Sequence, residues 1–369
     1  MKVKKSCGRR AFALLLAALL LFPLSAAPIG AASARESGAR PPIYKGKLDI
    51  ASVQLIPGGM PFGIRVEMDG VMVVGLSEIK CGGKTCRPAH EAGVRKGDIL
   101  LSVNGKDVKN AEEASAAIAA AGEKPLALCL RRGEEQKNIT LTPKKSDADG
   151  QYRCGLWLRD SASGIGTVTF IEPKSGAFGG LGHGVCDGDT GALVPLGRGS
   201  VLSVQLGEAV KGECGKPGEL RGSFTGKRLG RLLSNSPTGV FGILSDPASL
   251  SGGKYGALPV AAAKDVKEGA ATVLCTTDGG APAEYTVEIF AIDHSARPTK
   301  SFSVRVTDPT LLEKTGGIVQ GMSGSPIIQN GKLVGAVTHV LVDDPTTGYG
   351  IFIENMLTSA LPQKQGKAA

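Results

Sequence analysis

The sequence predicts a mainly β protein, and three observations predict it. Glycine is abundant (53 residues) while aromatic residues make up only 4% of the 369-residue chain. Val, Ile and Thr recur in short runs bounded by glycine turns, and long helical periodicity is absent. Many short strands of that kind assemble as barrels or sandwiches. The length allows two or three domains and a sizeable core.

The first 34 residues read as a targeting segment. Lys2, Lys4, Lys5, Arg9 and Arg10 precede an apolar run from Ala11 to Leu24, and Ala32-Ser33-Ala34 offers a cleavage site. The run is short for a bilayer span, so either removal or retention as an anchor fits. The net charge of +9 owes five basic residues to this segment. The excess left to the rest is mild, and no basic stripe with interleaved aromatics occurs, which sets nucleic acid aside as a partner. Of the eight cysteines, Cys81 and Cys86 are spaced to close a small disulfide loop in an exported protein. A zinc site needs a second close pair of ligands, which the spacing lacks, so the reading calls for no metal and no cofactor.

After a linker at 35–43, a first domain is expected over 44–145. Arg65–Met68 and Val71–Val74 alternate as strands, and Glu112 to Ala121 has helical spacing. Ala92-Gly93-Val94-Arg95-Lys96-Gly97-Asp98-Ile99 and Val103-Asn104-Gly105 resemble a PDZ domain. That resemblance implies capture of an extended peptide or C-terminal tail as an added strand. The loop Gly59-Met60-Pro61-Phe62-Gly63 matches the place where PDZ domains hold the terminal carboxylate, and the strand beside it is expected to present an open edge. Pro61 departs from the pattern because it has no N–H to donate.

The remainder, 146–369, carries Gly321-Met322-Ser323-Gly324-Ser325-Pro326, then Ile327-Ile328 and the hairpin signal Asn330-Gly331. A serine between glycines at the head of an apolar strand resembles the nucleophile turn of trypsin-like proteases. Small neighbours let the backbone curl, so that the N–H groups of Gly321 and Ser323 can form an oxyanion hole. A serine nucleophile needs a base that is neutral near pH 7. Of four histidines, His183 in Leu181-Gly182-His183-Gly184 is the first choice. His294 is the runner-up, His339 is given a core or hydrogen-bonding role, and His90 belongs to a short helix. Asp308, in Thr307-Asp308-Pro309, is a plausible orienting carboxylate, and Asp187 and Asp189 read as turn formers. Such a base makes activity rise through roughly pH 6 to 7.5, and a neighbouring carboxylate moves that limb upward.

Residues 151 to 358 are similar to the stage IV sporulation protein B peptidase family. The matching stretches include Leu158–Thr167, Leu181-Gly182-His183, Asn235–Gly242, Thr307-Asp308-Pro309 and Thr315–His339. With the PDZ-like domain, the resemblance implies an N-terminal PDZ domain followed by a chymotrypsin-like double β-barrel serine peptidase. It maps catalysis to His183, Asp308 and Ser323. It further implies self-cleavage and export to the space between the forespore membranes. There the enzyme cuts a membrane-bound regulator, which triggers intramembrane proteolysis and activates a late mother-cell sigma factor. The competing reading is an inactive PDZ-containing adaptor of the cell envelope. A quality-control protease shares the chemistry but usually places its PDZ domain after the peptidase.

Overall fold

A computed structural model describes residues 49–295 and 298–360. The expected targeting segment and the linker fall outside that range. Among the described residues no helix is long and apolar enough to cross a membrane.

The chain opens with β1 (Gln54–Pro57) and the long β2 (Pro61–Leu76). A small mixed module follows: the hairpin β3 (Ile79–Cys81) and β4 (Lys84–Cys86), α1 (Pro88–Glu91), β5 (Ile99–Val103), β6 (Lys106–Asp107), α2 (Ala111–Ala120), β7 (Leu126–Arg132) and β8 (Glu135–Leu141). The short pair β9 (Lys144–Lys145) and β10 (Tyr152–Arg153) closes it. Next come β11 (Leu156–Ile171), β12 (Ala177–Gly180), β13 (Leu196–Val210), β14 (Glu219–Ser236) and β15 (Gly239–Leu244). After β16 (Leu258–Pro259) run β17 (Gly269–Cys275), β18 (Ala283–Phe290), β19 (Phe302–Val306), α3 (Pro309–Thr315), β20 (Pro326–Gln329), β21 (Lys332–Leu341), β22 (Asp344–Phe352) and α4 (Ile353–Ala360).

Pairing turns these strands into two barrels. The first is the ring β2, β11, β12, β15, β14, β13 and back to β2. The second is the closed ring β17, β18, β19, β22, β21, β20. Alternation along the strands fills each with apolar side chains: Phe62, Ile64, Val168, Phe178 and Val201 in the first, Val273, Val287, Phe302, Val304 and Val337 in the second. This is the expected double barrel. The Asn330-Gly331 hairpin is also as expected, with both residues at positive φ between β20 and β21.

Two expectations are corrected. Arg65–Met68 and Val71–Val74 are not separate strands but one continuous β2 through Gly70. Its first half belongs to the barrel and its second half to the mixed module, so the chain from Gln54 to Met68 is peptidase framework. The second correction concerns Gly59, Met60, Pro61, Phe62 and Gly63, expected to form an open peptide-binding loop. Phe62 and Gly63 pair with Gly166 and Ile165 of β11, and Gly63 also pairs with Leu202 of β13. Phe62 is fully buried, Met60 is half-buried and its carbonyl accepts from Val168 N, and the Gly59 carbonyl accepts from Thr276 Oγ1 at 3.1 Å. A strand bonded on both edges has nothing to offer a peptide. The spare edge lies elsewhere: from Leu156 to Ser163, β11 pairs with β2 alone, and its start faces α2.

Cys81 and Cys86 form the predicted disulfide across the β3–β4 hairpin. Cys154 and Cys275 are buried thiols, both pushed up to about 12 by loss of hydration, and they behave as small apolar side chains.

Candidate active site

The serine turn leads into β20. Gly321 and Gly324 have φ of +98° and +95°, which is what curls the chain around Ser323. A Cβ at Gly324 would sit 2.0 Å from the Thr167 carbonyl oxygen, so no other residue fits there. Strand β11 latches this turn to the first barrel. Thr167 N donates to the Ser323 carbonyl at 2.9 Å, Thr167 Oγ1 to the Gly321 carbonyl at 2.8 Å, and Thr169 Oγ1 to the Gly324 carbonyl at 2.7 Å. Among the described residues, the N–H groups of Gly321 and Ser323 meet no protein acceptor. Those of Met322, Gly324 and Ser325 bond to Val319, Val337 and Met322 carbonyls. Two unused donors flanking a half-buried serine are the arrangement an oxyanion hole needs.

His183 follows β12 on a tight turn, with Leu181 and Gly182 at φ of +69° and +68°. A Cβ at Gly182 would lie 2.9 Å from Thr338 Cγ2, so this turn presses on β21. The Ser323 hydroxyl donates to the carbonyl of that same Thr338 at 2.8 Å. His183, Ser323 and the middle of β21 therefore meet in one patch, with one histidine supplied by the first barrel and the serine by the second. His183 Nδ1 lies 2.9 Å from the Gly184 carbonyl. A carbonyl only accepts, so Nδ1 carries the proton and Nε2 is left as the basic nitrogen. Burial lowers the His183 pKa from its ordinary value, and the Gly184 carbonyl opposes that in part.

The structure does not bring Asp308 to His183. Its carboxylate caps α3, accepting from Thr310 N at 2.9 Å and Leu311 N at 3.1 Å, and it also accepts from Thr286 N at 3.2 Å. Across the sheet, His339 is level with Tyr349 and Ser303, and Asp308 lies roughly 15 Å further along the β19 direction at strand rise. The physical reason is local. An Asp before Pro at a helix start satisfies the helix's unpaired N–H groups, and that function holds the carboxylate.

Asp187 and Asp189 are turn and ion-pair residues: Asp187 accepts from Asp189 N and Thr190 N, and both carboxylates pair with Arg159. His294 stacks on Phe352 with ring centroids 5.3 Å apart, away from the serine turn's contacts. His339, read from sequence as a core or hydrogen-bonding residue, is instead exposed on β21 with its ring against His183, centroids 5.0 Å apart. Sequence reasoning also missed Thr167 and Thr169 as the latch. The signal was present, since two threonines alternate on the same face of a strand running into the barrel.

The description SpoIVB peptidase S55 matches residues 150–357, and a PDZ domain description matches residues 87–132. Serine protease HTRA1 of Xenopus laevis is 45% identical over 58 residues, which is 16% of this chain and 12% of that protein. Probable protease eep of Enterococcus faecalis (strain ATCC 700802 / V583) is 33% identical over 64 residues, 17% of this chain and 15% of that protein. The chain thus spans only a small part of the curated relatives it matches. Among solved structures, the active form of the Rv3671c protease from M. tuberculosis aligns at 18% identity and a TM-score of 0.32, over 56% of this chain and 79% of that one.

Proposed function

From the premise that this chain belongs to the SpoIVB peptidase S55 family, and is a PDZ-containing serine peptidase, we propose that it is a self-cleaving endopeptidase of sporulation signalling. In this reading it acts outside the membrane that exports it, cuts a membrane-bound regulator, and so triggers intramembrane proteolysis that activates a late mother-cell sigma factor. The observation that carries the catalytic part is the serine turn latched to β11, with two N–H donors that meet no acceptor among the described residues, and with the His183 turn packed on the same Thr338 whose carbonyl holds the Ser323 hydroxyl.

The chemistry follows from these residues. Ser323 Oγ rotates from the Thr338 carbonyl toward His183 Nε2, loses its proton there, and attacks the scissile carbonyl. The oxyanion is held by the Gly321 and Ser323 N–H groups. The His183 imidazolium then protonates the leaving amine, and a water repeats the sequence to release the acyl group. Purified full-length protein should generate new N-termini near its own start, and Ser323→Ala should abolish them while the fold survives. Self-cleavage by Ser323→Ala would overturn the assignment.

The mixed module takes an extended peptide in this reading, at the free edge of β11 beside α2. A concavity of about 700 Å³ lies there, lined by Ile79, Ser115, Ile118, Ala119, Trp157 and Leu158. Trp157 is 63% exposed. Ser115→Glu, at an exposed position of α2 on the rim of this concavity, should leave self-cleavage unchanged and impair cutting of the physiological target. Equal processing of that target by the variant would show that the module only packs on the peptidase.

A further inference from the structure

His183 has to become an imidazolium in mid-reaction, and among the described residues no carboxylate is bonded to it. Its Nδ1 proton goes to a backbone carbonyl, and the acidic group expected beside it caps α3. What lies against the ring is a second imidazole. The His339 and His183 centroids are 5.0 Å apart with the planes tilted by 37°. The strand that carries His339 is irregular at this point, since its register with β22 shifts between Val337 and His339. Such bulges re-aim side chains beside functional sites. Thr338 anchors the bulge: its hydroxyl has the Thr299 carbonyl at 2.8 Å and the Tyr349 carbonyl at 3.1 Å as acceptors for its single proton. Its own carbonyl holds Ser323 Oγ.

We propose that His339 is the positioning residue for His183: from its bulge on β21 it presents a neutral ring face that holds the base's ring in place and against which the imidazolium forms. The inference rests on the reading of Ser323 and His183 given above. An uncharged ring 5.0 Å away packs against the imidazolium without repelling it, whereas a second imidazolium would repel it. The charged or titratable groups that bear on His339 from the elements packed on it are His183, Lys300 and, paired across the strand, Tyr349. The Lys300 ammonium lies 4.6 Å over the Tyr349 ring. Loss of hydration first, then His183, then Lys300 push His339 down to about 4, so it is uncharged at neutral pH.

The test uses full-length protein and a fluorophosphonate probe, which reports attack by the serine without any peptide substrate. Labelling rates are measured across the acid and neutral pH range for wild type, His339→Ala, His339→Gln and His339→Phe, beside Ser323→Ala, His183→Ala and Asp308→Asn. His339→Ala and His339→Gln should label on the order of 10- to 100-fold more slowly at neutral pH. Their acid limb should move to higher pH, because water reaches the uncovered His183 ring. His339→Phe, which restores a ring face, should recover most of the rate and keep the limb low. A merely structural role would lower yield or unfolding midpoint without moving the limb. Wild-type rate and limb in His339→Gln, with Ser323→Ala and His183→Ala silent, would overturn this inference and leave the nucleophile and base intact. Loss of rate with a moved limb in Asp308→Asn alone would return the orienting role to that carboxylate. Labelling of Ser323→Ala would overturn the reading of the site itself.

Discussion

Ser323 and Ser325 share one turn and have opposite surroundings. Ser323 is half-buried with its hydroxyl on a carbonyl, whereas Ser325 is fully buried and its Oγ has no hydrogen-bond partner among the described residues. Ser325→Ala should therefore keep activity and hold or raise stability, since an unsatisfied buried hydroxyl is removed. Thr167 is the more demanding neighbour. Thr167→Val keeps the shape but deletes the bond to the Gly321 carbonyl. We expect a stability loss of about 1 kcal/mol and a labelling rate lower by on the order of 10- to 100-fold, because the oxyanion donors sit on that turn; wild-type labelling would deny the latch its role. The two histidines also tie stability to pH. Their folded pKa values lie below the ordinary 6.5, so the unfolded chain takes up protons first as pH falls. Their contribution is neutral above 6.5 and becomes a cost as pH drops toward 4. Denaturant midpoints compared at neutral and mildly acidic pH should fall less in His339→Gln than in wild type. An equal fall would mean that His339 is not held low.

At the scale of elements, the decisive feature is a strand that serves two bodies. β2 gives its first half to the barrel and its second half to the mixed module, and β11 returns along it with two shifts of register, from Leu76 opposite Leu156 to Phe62 opposite Gly166. Its alternating sequence was legible as strand, but Gly70 reads as a break because glycine punctuates turns. In the fold Gly70 lies where the β2–β11 register shifts, between Met72 opposite Arg159 and Glu67 opposite Ser161, and β2 still runs on through it: its φ is +96°, and a Cβ there would lie 2.6 Å from Ile99. β14 escaped the sequence for a similar reason. Glycines at 222, 226 and 230 and clustered charges hide its alternation, yet it spans Glu219–Ser236 because β13 and β15 supply partners along most of its length. Secondary structure held by distant partners does not show in local propensity. α3 was missed because a short helix after Asp308-Pro309 gives the same local signal as a turn.

For the whole molecule, the interleaving changes what a deletion can mean. Removing residues 44–145 would take β2 out of the first barrel and β1 from the end of β11, and the expected result is a chain that neither folds cooperatively nor labels with fluorophosphonate. Replacing residues 68–160 with an Asn-Gly turn joins Glu67 to Ser161, which already face each other across the β2–β11 pair. That chain should fold and label. Failure of the second deletion alongside success of the first would refute the shared-strand architecture. Calorimetry and labelling read both.

The sequence by itself determined the fold class, the PDZ-like helix and turns, the disulfide, the serine turn and the family, because each is written in short-range signals: glycine spacing, alternation and turn chemistry. It also singled out Ser323 and His183 by residue type and glycine setting. Only the tertiary structure decided which edge of the PDZ module is free, since edge status depends on strands more than a hundred residues away. Only it placed Asp308 on a helix N-terminus and His339 against His183. Those placements depend on strand register and a bulge, which fix where a side chain points and leave no mark in the residues nearby.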